Sequence, residues 1–67
     1  MTRRFTQGQK RMLAWLAAGC CRLCGARLPQ DFHADHVVPF SRGGPTTVIN
    51  GQALCPRCNL SKGNKWR

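Results

Sequence analysis

The chain has almost no negative charge. Asp31 and Asp35 are its only acidic residues, set against 11 lysines and arginines, for a formal net charge of +9 over 67 residues. A surface meant only for solubility mixes both signs. The imbalance therefore points to a polyanionic partner, and nucleic acid is the expected one. The basic residues run from Arg3 to Arg67 without a dense block. No clean amphipathic basic helix is present, which argues against a membrane-surface role. Long apolar runs are missing too. No stretch approaches the ~20 residues of a membrane span. The N-terminal Met1-Thr2-Arg3-Arg4-Phe5 leads into no apolar run, so no secretory leader is expected. The expected compartment is the cytoplasm, where thiols stay reduced. Repeats and low-complexity tracts are absent as well, and the expectation is one domain over 1–67. A chain this short buries too little apolar surface to be stable unaided, so it needs a staple.

Cysteine supplies one. Cys21-x-x-Cys24 and Cys55-x-x-Cys58 offer four thiolates, the set a tetrahedral zinc site requires. Each pair straddles a tight turn, so both sulfurs can reach one ion. In a reducing compartment this spacing reads as metal ligation rather than disulfides. A rubredoxin-type iron centre would use the same four sulfurs and would be coloured. Between the pairs lie 30 residues, 25 to 54. That exceeds the roughly 15–20 of a simple zinc ribbon, so a substructure must be inserted there. Cys20 has no partner at ligand spacing and reads as a small buried hydrophobe or a free thiol.

The expected elements are few. Residues about 6 to 18 read as a helix, with Thr6 and Gln9 as a capping box and Gly19 at its C-terminal side. Met12, Leu13 and Leu16 form an apolar stripe with Trp15 beside it, expected to cover the core. Lys10 and Arg11 fall on the wetter side. Residues about 32 to 38 read as a strand closed by Pro39. The stretch 41–47, Ser-Arg-Gly-Gly-Pro-Thr-Thr, is a turn-rich loop. A second short strand around 52–54 can pair back on the first. Pro56 suits the first position of a helix ending near Gly63.

Inside the insert stands Asp35-His36-Val37-Val38-Pro39, followed by Asn50 and then Asn59 directly after Cys58. His36 is a natural general base, because imidazole titrates near neutrality. Asp35 offers an anionic oxygen and Asn59 a neutral amide oxygen. Such ligands suit Mg2+ or Mn2+. Neighbours in a regular strand point to opposite faces. For Asp35 and His36 to address one phosphate, the strand must bulge or end there. By the same alternation His33 shares the face of Asp35, where it could touch substrate or a metal-bound water, or have no role. Asn50 alone would read as a turn residue before Gly51.

These residues resemble the HNH endonuclease family of the ββα-metal type. The resemblance rests on the two Cys pairs, Asp35-His36-Val37-Val38-Pro39, Ser41, Gly43-Gly44, Asn50, Gln52, Leu54-Cys55, Asn59 and Lys62. The third signature residue departs from the family name, because Asn59 stands where a His would. The resemblance implies a small α+β fold: a ββα-metal core with an N-terminal helix, stapled by a four-Cys structural zinc. It divides the chain into a helical extension (1–19), knuckles and core (20–62) and a basic tail (63–67). It implies that Asp35 and Asn59 hold a catalytic Mg2+ or Mn2+, and that Asn50 orients His36 by bridging the loop to its backbone. It further implies DNA hydrolysis leaving 3′-hydroxyl and 5′-phosphate ends. With no dimer signal, a monomer that nicks one strand with weak sequence preference is expected, and a dimer or larger phage-type assembly is the alternative. Candidate DNA contacts are His33, Arg42, Arg57, Lys62, Lys65 and Arg67; Trp66 stacks on a base or packs. The rival reading is a zinc-stabilised DNA-binding module without catalysis. Such a module has no need of Asp35, His36 and Asn59 together.

Overall fold

The computed structural model of the protein describes residues 3–63. Helix α1 spans Gln7–Leu16, strand β1 His33–His36, strand β2 Gly51–Leu54 and helix α2 Pro56–Lys62, with a 3-10 turn at Phe40–Arg42. This is a small α+β fold compatible with a ββα core preceded by a helix. Lys65, Trp66 and Arg67 lie outside the described residues.

The capping box forms as its sequence requires. The Thr6 hydroxyl accepts from the Gln9 N–H at 3.1 Å, and Gln9 Oε1 accepts from the Thr6 N–H at 2.8 Å. The helix ends two residues earlier than its pattern suggests. Ala18 and Gly19 take positive φ (54° and 74°), and the Gly19 N–H turns back to the Ala14 carbonyl at 2.9 Å. The left-handed turn thus begins at Ala18, before the glycine.

The strands pair antiparallel with His33 opposite Leu54, Ala34 opposite Ala53, Asp35 opposite Gln52 and His36 opposite Gly51. The pairing runs without a bulge, and β1 stops at His36. Of the two ways to free Asp35 and His36 from strict alternation, the chain uses the strand end. Val37 and Val38, expected in the strand, lie past it, although the Val37 N–H still bonds the Asn50 carbonyl at 2.8 Å. Two glycines permit close approaches. A Cβ on Gly51 would lie 2.9 Å from Leu13 Cδ1 and 3.0 Å from Phe5 Cε1, so the bare backbone lets α1 settle on β2. A Cβ on Gly44 would lie 1.8 Å from the Val38 carbonyl oxygen.

The core is small. Among the described residues its buried apolar members are Leu13, Cys21, Ala53 and Leu54. The apolar stripe of α1 is therefore only partly used: Leu13 is buried, whereas Met12 and Leu16 are exposed and Trp15 is 76% exposed. A two-stranded sheet of four-residue strands offers too narrow a face to cover a wider stripe. The longest fully buried side chain is that of a cation, Lys62.

Candidate active site and metal centre

The four cysteines converge. Cys21, Cys24, Cys55 and Cys58 place their sulfurs within 4.8 Å of one another. The first knuckle closes through the Gly25 N–H on the Cys21 carbonyl (2.9 Å), with Gly25 at φ 77°, and the Arg22 N–H fastens it to Ala53 of β2 at 3.0 Å. The second is the start of α2, where Cys55 is the N-cap residue and Pro56 opens the helix. Tetrahedral Zn–S bonds of about 2.3 Å imply sulfur separations near 3.8 Å. Cys24 Sγ and Cys55 Sγ lie 3.8 Å apart, so the cluster has the size of such a site. Its electrostatics ask for a cation. Burial opposes ionisation of Cys21, yet backbone hydrogen bonds from Cys24, Cys55 and Leu23 outweigh it and hold its pKa down to about 6. Cys58 is pushed up to about 12, chiefly by hydrogen bonds with the thiols of Cys24 and Cys55. Cys20 stands outside the cluster.

His36 sits at the end of β1 between two aromatic rings. Phe5 lies 4.7 Å from it, centroid to centroid, and Phe40 5.6 Å. Its Nε2 is 2.8 Å from the Thr46 hydroxyl. Among the described residues Nδ1 has no partner. The pKa of His36 is lowered, first by burial and then by the charges of Arg3 and Lys62; Asp35 opposes them. The neutral imidazole is thereby favoured. Asn50 braces the loop. Its Oδ1 accepts from the Val38 N–H at 3.0 Å, and its Nδ2 donates to the carbonyls of Val38 (3.1 Å) and Pro45 (2.9 Å). Asn50 thus bridges the loop to the backbone of Val38, two residues past His36.

Asp35 points at α2. Its Oδ2 meets Lys62 Nζ at 2.8 Å and accepts from Gln52 Nε2 at 3.2 Å. Lys62 also donates to the His36 carbonyl at 3.0 Å. Lys62 was expected at a substrate phosphate, but its side chain is 1% exposed and spent on these oxygens. The ammonium sits inward, where the Asp35 carboxylate is its counterion. Asn59 lies one turn before Lys62 on the same face of α2. Its side chain has no hydrogen-bond partner among the described residues, and neither has Asp35 Oδ1. Among the described residues no buried side-chain nitrogen or oxygen lacks a partner, so neither group is sealed from solvent. A carboxylate oxygen and an amide oxygen left free in this way fit a hard divalent cation. Arg42 and Arg57 are exposed, and His33 is exposed beside His36 in a cleft. Thr46, Phe5 and Phe40 carry no spacing signal; only the fold brings them to His36.

The profile of a family described as HNH endonuclease matches residues 21–65, about two thirds of the chain. The chain belongs to the HNH endonuclease family. It is also similar to the type IV methyl-directed restriction enzyme EcoKMcrA of Escherichia coli (strain K12), 36% identical over 56 residues. The similarity covers 69% of this chain and 20% of that protein, so the chain spans about a fifth of the length of its relative.

Proposed function

We propose that this HNH chain hydrolyses phosphodiester bonds of DNA. What supports the reading is the ring-braced His36 at the end of β1, with Asp35 beside it in the chain and Asn59 one helical turn before the Lys62 that pairs with Asp35. When the Thr46 hydroxyl accepts the Nε2 proton, the lone pair of His36 is left on Nδ1, ready to take a proton from attacking water. Phe5 and Phe40 hold the ring, Asn50 holds the loop past it, and Lys62 fixes the backbone of His36 and the carboxylate of Asp35 together. A Mg2+ or Mn2+ held by Asp35 and Asn59 would neutralise charge on the phosphate and help the 3′ oxygen leave, giving 3′-hydroxyl and 5′-phosphate ends. The four-Cys cluster would take zinc as a structural ion, in keeping with its all-sulfur donors and a reducing, cytoplasmic setting. We assign 1–19 to an extension, 20–62 to the core and 63–67 to a basic tail. One active site per monomer favours nicking.

Incubating the zinc-loaded protein with supercoiled plasmid and Mg2+ or Mn2+ tests this. Open circles should accumulate, and a chelator that spares zinc should stop them. Tight DNA binding with no cleavage under any divalent cation would favour the binding-module reading.

A further inference from the structure

The residues before position 21 lie outside the family match, yet positions 3 to 10 reach His36 by three routes. Phe5 stacks against its ring at 4.7 Å. The Arg3 guanidinium lies 5.6 Å over Phe40, the second ring on His36. Gln9 Nε2 donates to the Thr46 carbonyl at 3.3 Å, fastening to α1 the residue whose hydroxyl meets Nε2. The same segment walls a cleft of about 650 Å³ that ends on the base, bordered by Arg3, Arg4, Phe5, Lys10, His33 and His36. No carboxylate borders it. Two of its three cations are steadied by aromatic faces: Arg3 by Phe40, and Lys10 by Phe32, with Nζ 5.1 Å from the ring centroid. A cationic, acid-free cleft leading to a general base has the chemistry of a seat for a phosphodiester backbone.

We propose that Arg3 and Lys10 bind DNA phosphates flanking the scissile bond, so that the N-terminal segment supplies the substrate side of this active site. The proposal rests on the nuclease reading above. Neutralising each cation while keeping a polar stem isolates its charge.

Arg3→Gln and Lys10→Gln are compared with wild type in the zinc-loaded full chain, with melting temperature and zinc content recorded for each. A labelled DNA duplex is titrated across a salt series, in a His36→Ala background so that it stays intact. Each neutralisation should flatten the log–log salt slope by about 0.9 and weaken binding several-fold. With His36 present, each should raise KM more than it lowers kcat. Arg3→Lys and Lys10→Arg should restore the slope. Arg11→Gln, an exposed charge on the same helix outside the cleft, should leave it unchanged. Wild-type slope and KM in both Gln variants overturn the proposal, and so does an equal loss in Arg11→Gln. Full cleavage by His36→Ala would sink the nuclease mechanism instead, while the slopes still decide the role of Arg3 and Lys10. A wild-type protein that binds no duplex at low salt overturns both.

Discussion

Lys62 is a cation where water cannot reach it, and its stability comes from the oxygens around it: Asp35 Oδ2 at 2.8 Å and the His36 carbonyl at 3.0 Å. Removing one partner of a buried pair strands the other charge, which typically costs about 3–5 kcal/mol. Asp35 keeps 17% exposure, so water offsets part of that loss. Lys62→Met should therefore lower stability towards the small end of the range, about 3 kcal/mol. The measurement is the denaturation midpoint of zinc-loaded protein, and an unmoved midpoint would show that the pair contributes nothing. His36 has a different proposed role, as the general base. Losing a general base typically slows a reaction about 10²–10⁴-fold. His36→Ala should show such a fall in plasmid nicking while DNA affinity and zinc content hold. Near-normal turnover would mean that another group activates the water.

At the scale of elements, the short helices and strands hold too little apolar surface to fold on packing alone, and the four cysteines link knuckle, β2 and α2. Structural zinc in small domains contributes about 10–16 kcal/mol of apparent binding free energy, comparable with a whole domain's stability. Cys58→Ser should therefore unfold the domain, seen as loss of bound zinc and of helical signal, whereas Cys20→Ser should change neither. Equal sensitivity at Cys20 would mean that the ligand set is wrong. The elements legible in the sequence were those specified locally. The Thr6/Gln9 box, Pro56 at the start of α2, and the two Cys spacings each act within four residues. Less legible were features set by contacts far apart in the chain. Lys62 at a helix end reads as a charge for a substrate phosphate or for solvent, and only its meeting with Asp35, across the fold, buries it. Met12, Leu16 and Trp15 read as core by period, yet the sheet is too narrow to cover them. Thr46 sits in a loop with no pattern at all, and it reaches His36 because Gln9 and Asn50 hold that loop in place.

Over the whole molecule the charge is one-sided, and the structure sharpens it. Of the two carboxylates behind the formal +9, Asp35 is already engaged by Lys62, which leaves Asp31 as the acid on the surface. Affinity for DNA should then come mainly from phosphate contacts, which release counterions and scale with salt by a log–log slope of about −0.9 per phosphate neutralised. Such contacts position a strand without reading bases. Reading bases takes an element laid in the major groove. Here α2, of seven residues, is occupied with the metal ligands and Lys62, and α1 turns Gln9 and Lys10 to the loop and the cleft. Neither helix is long, at ten and seven residues, and few of their side chains are left for base edges. Binding should fall steeply with salt and discriminate little between duplexes. Competition by unrelated duplexes at two or more salt concentrations measures both at once. A strong preference for one sequence that persists in high salt would mean that side chains read base edges directly.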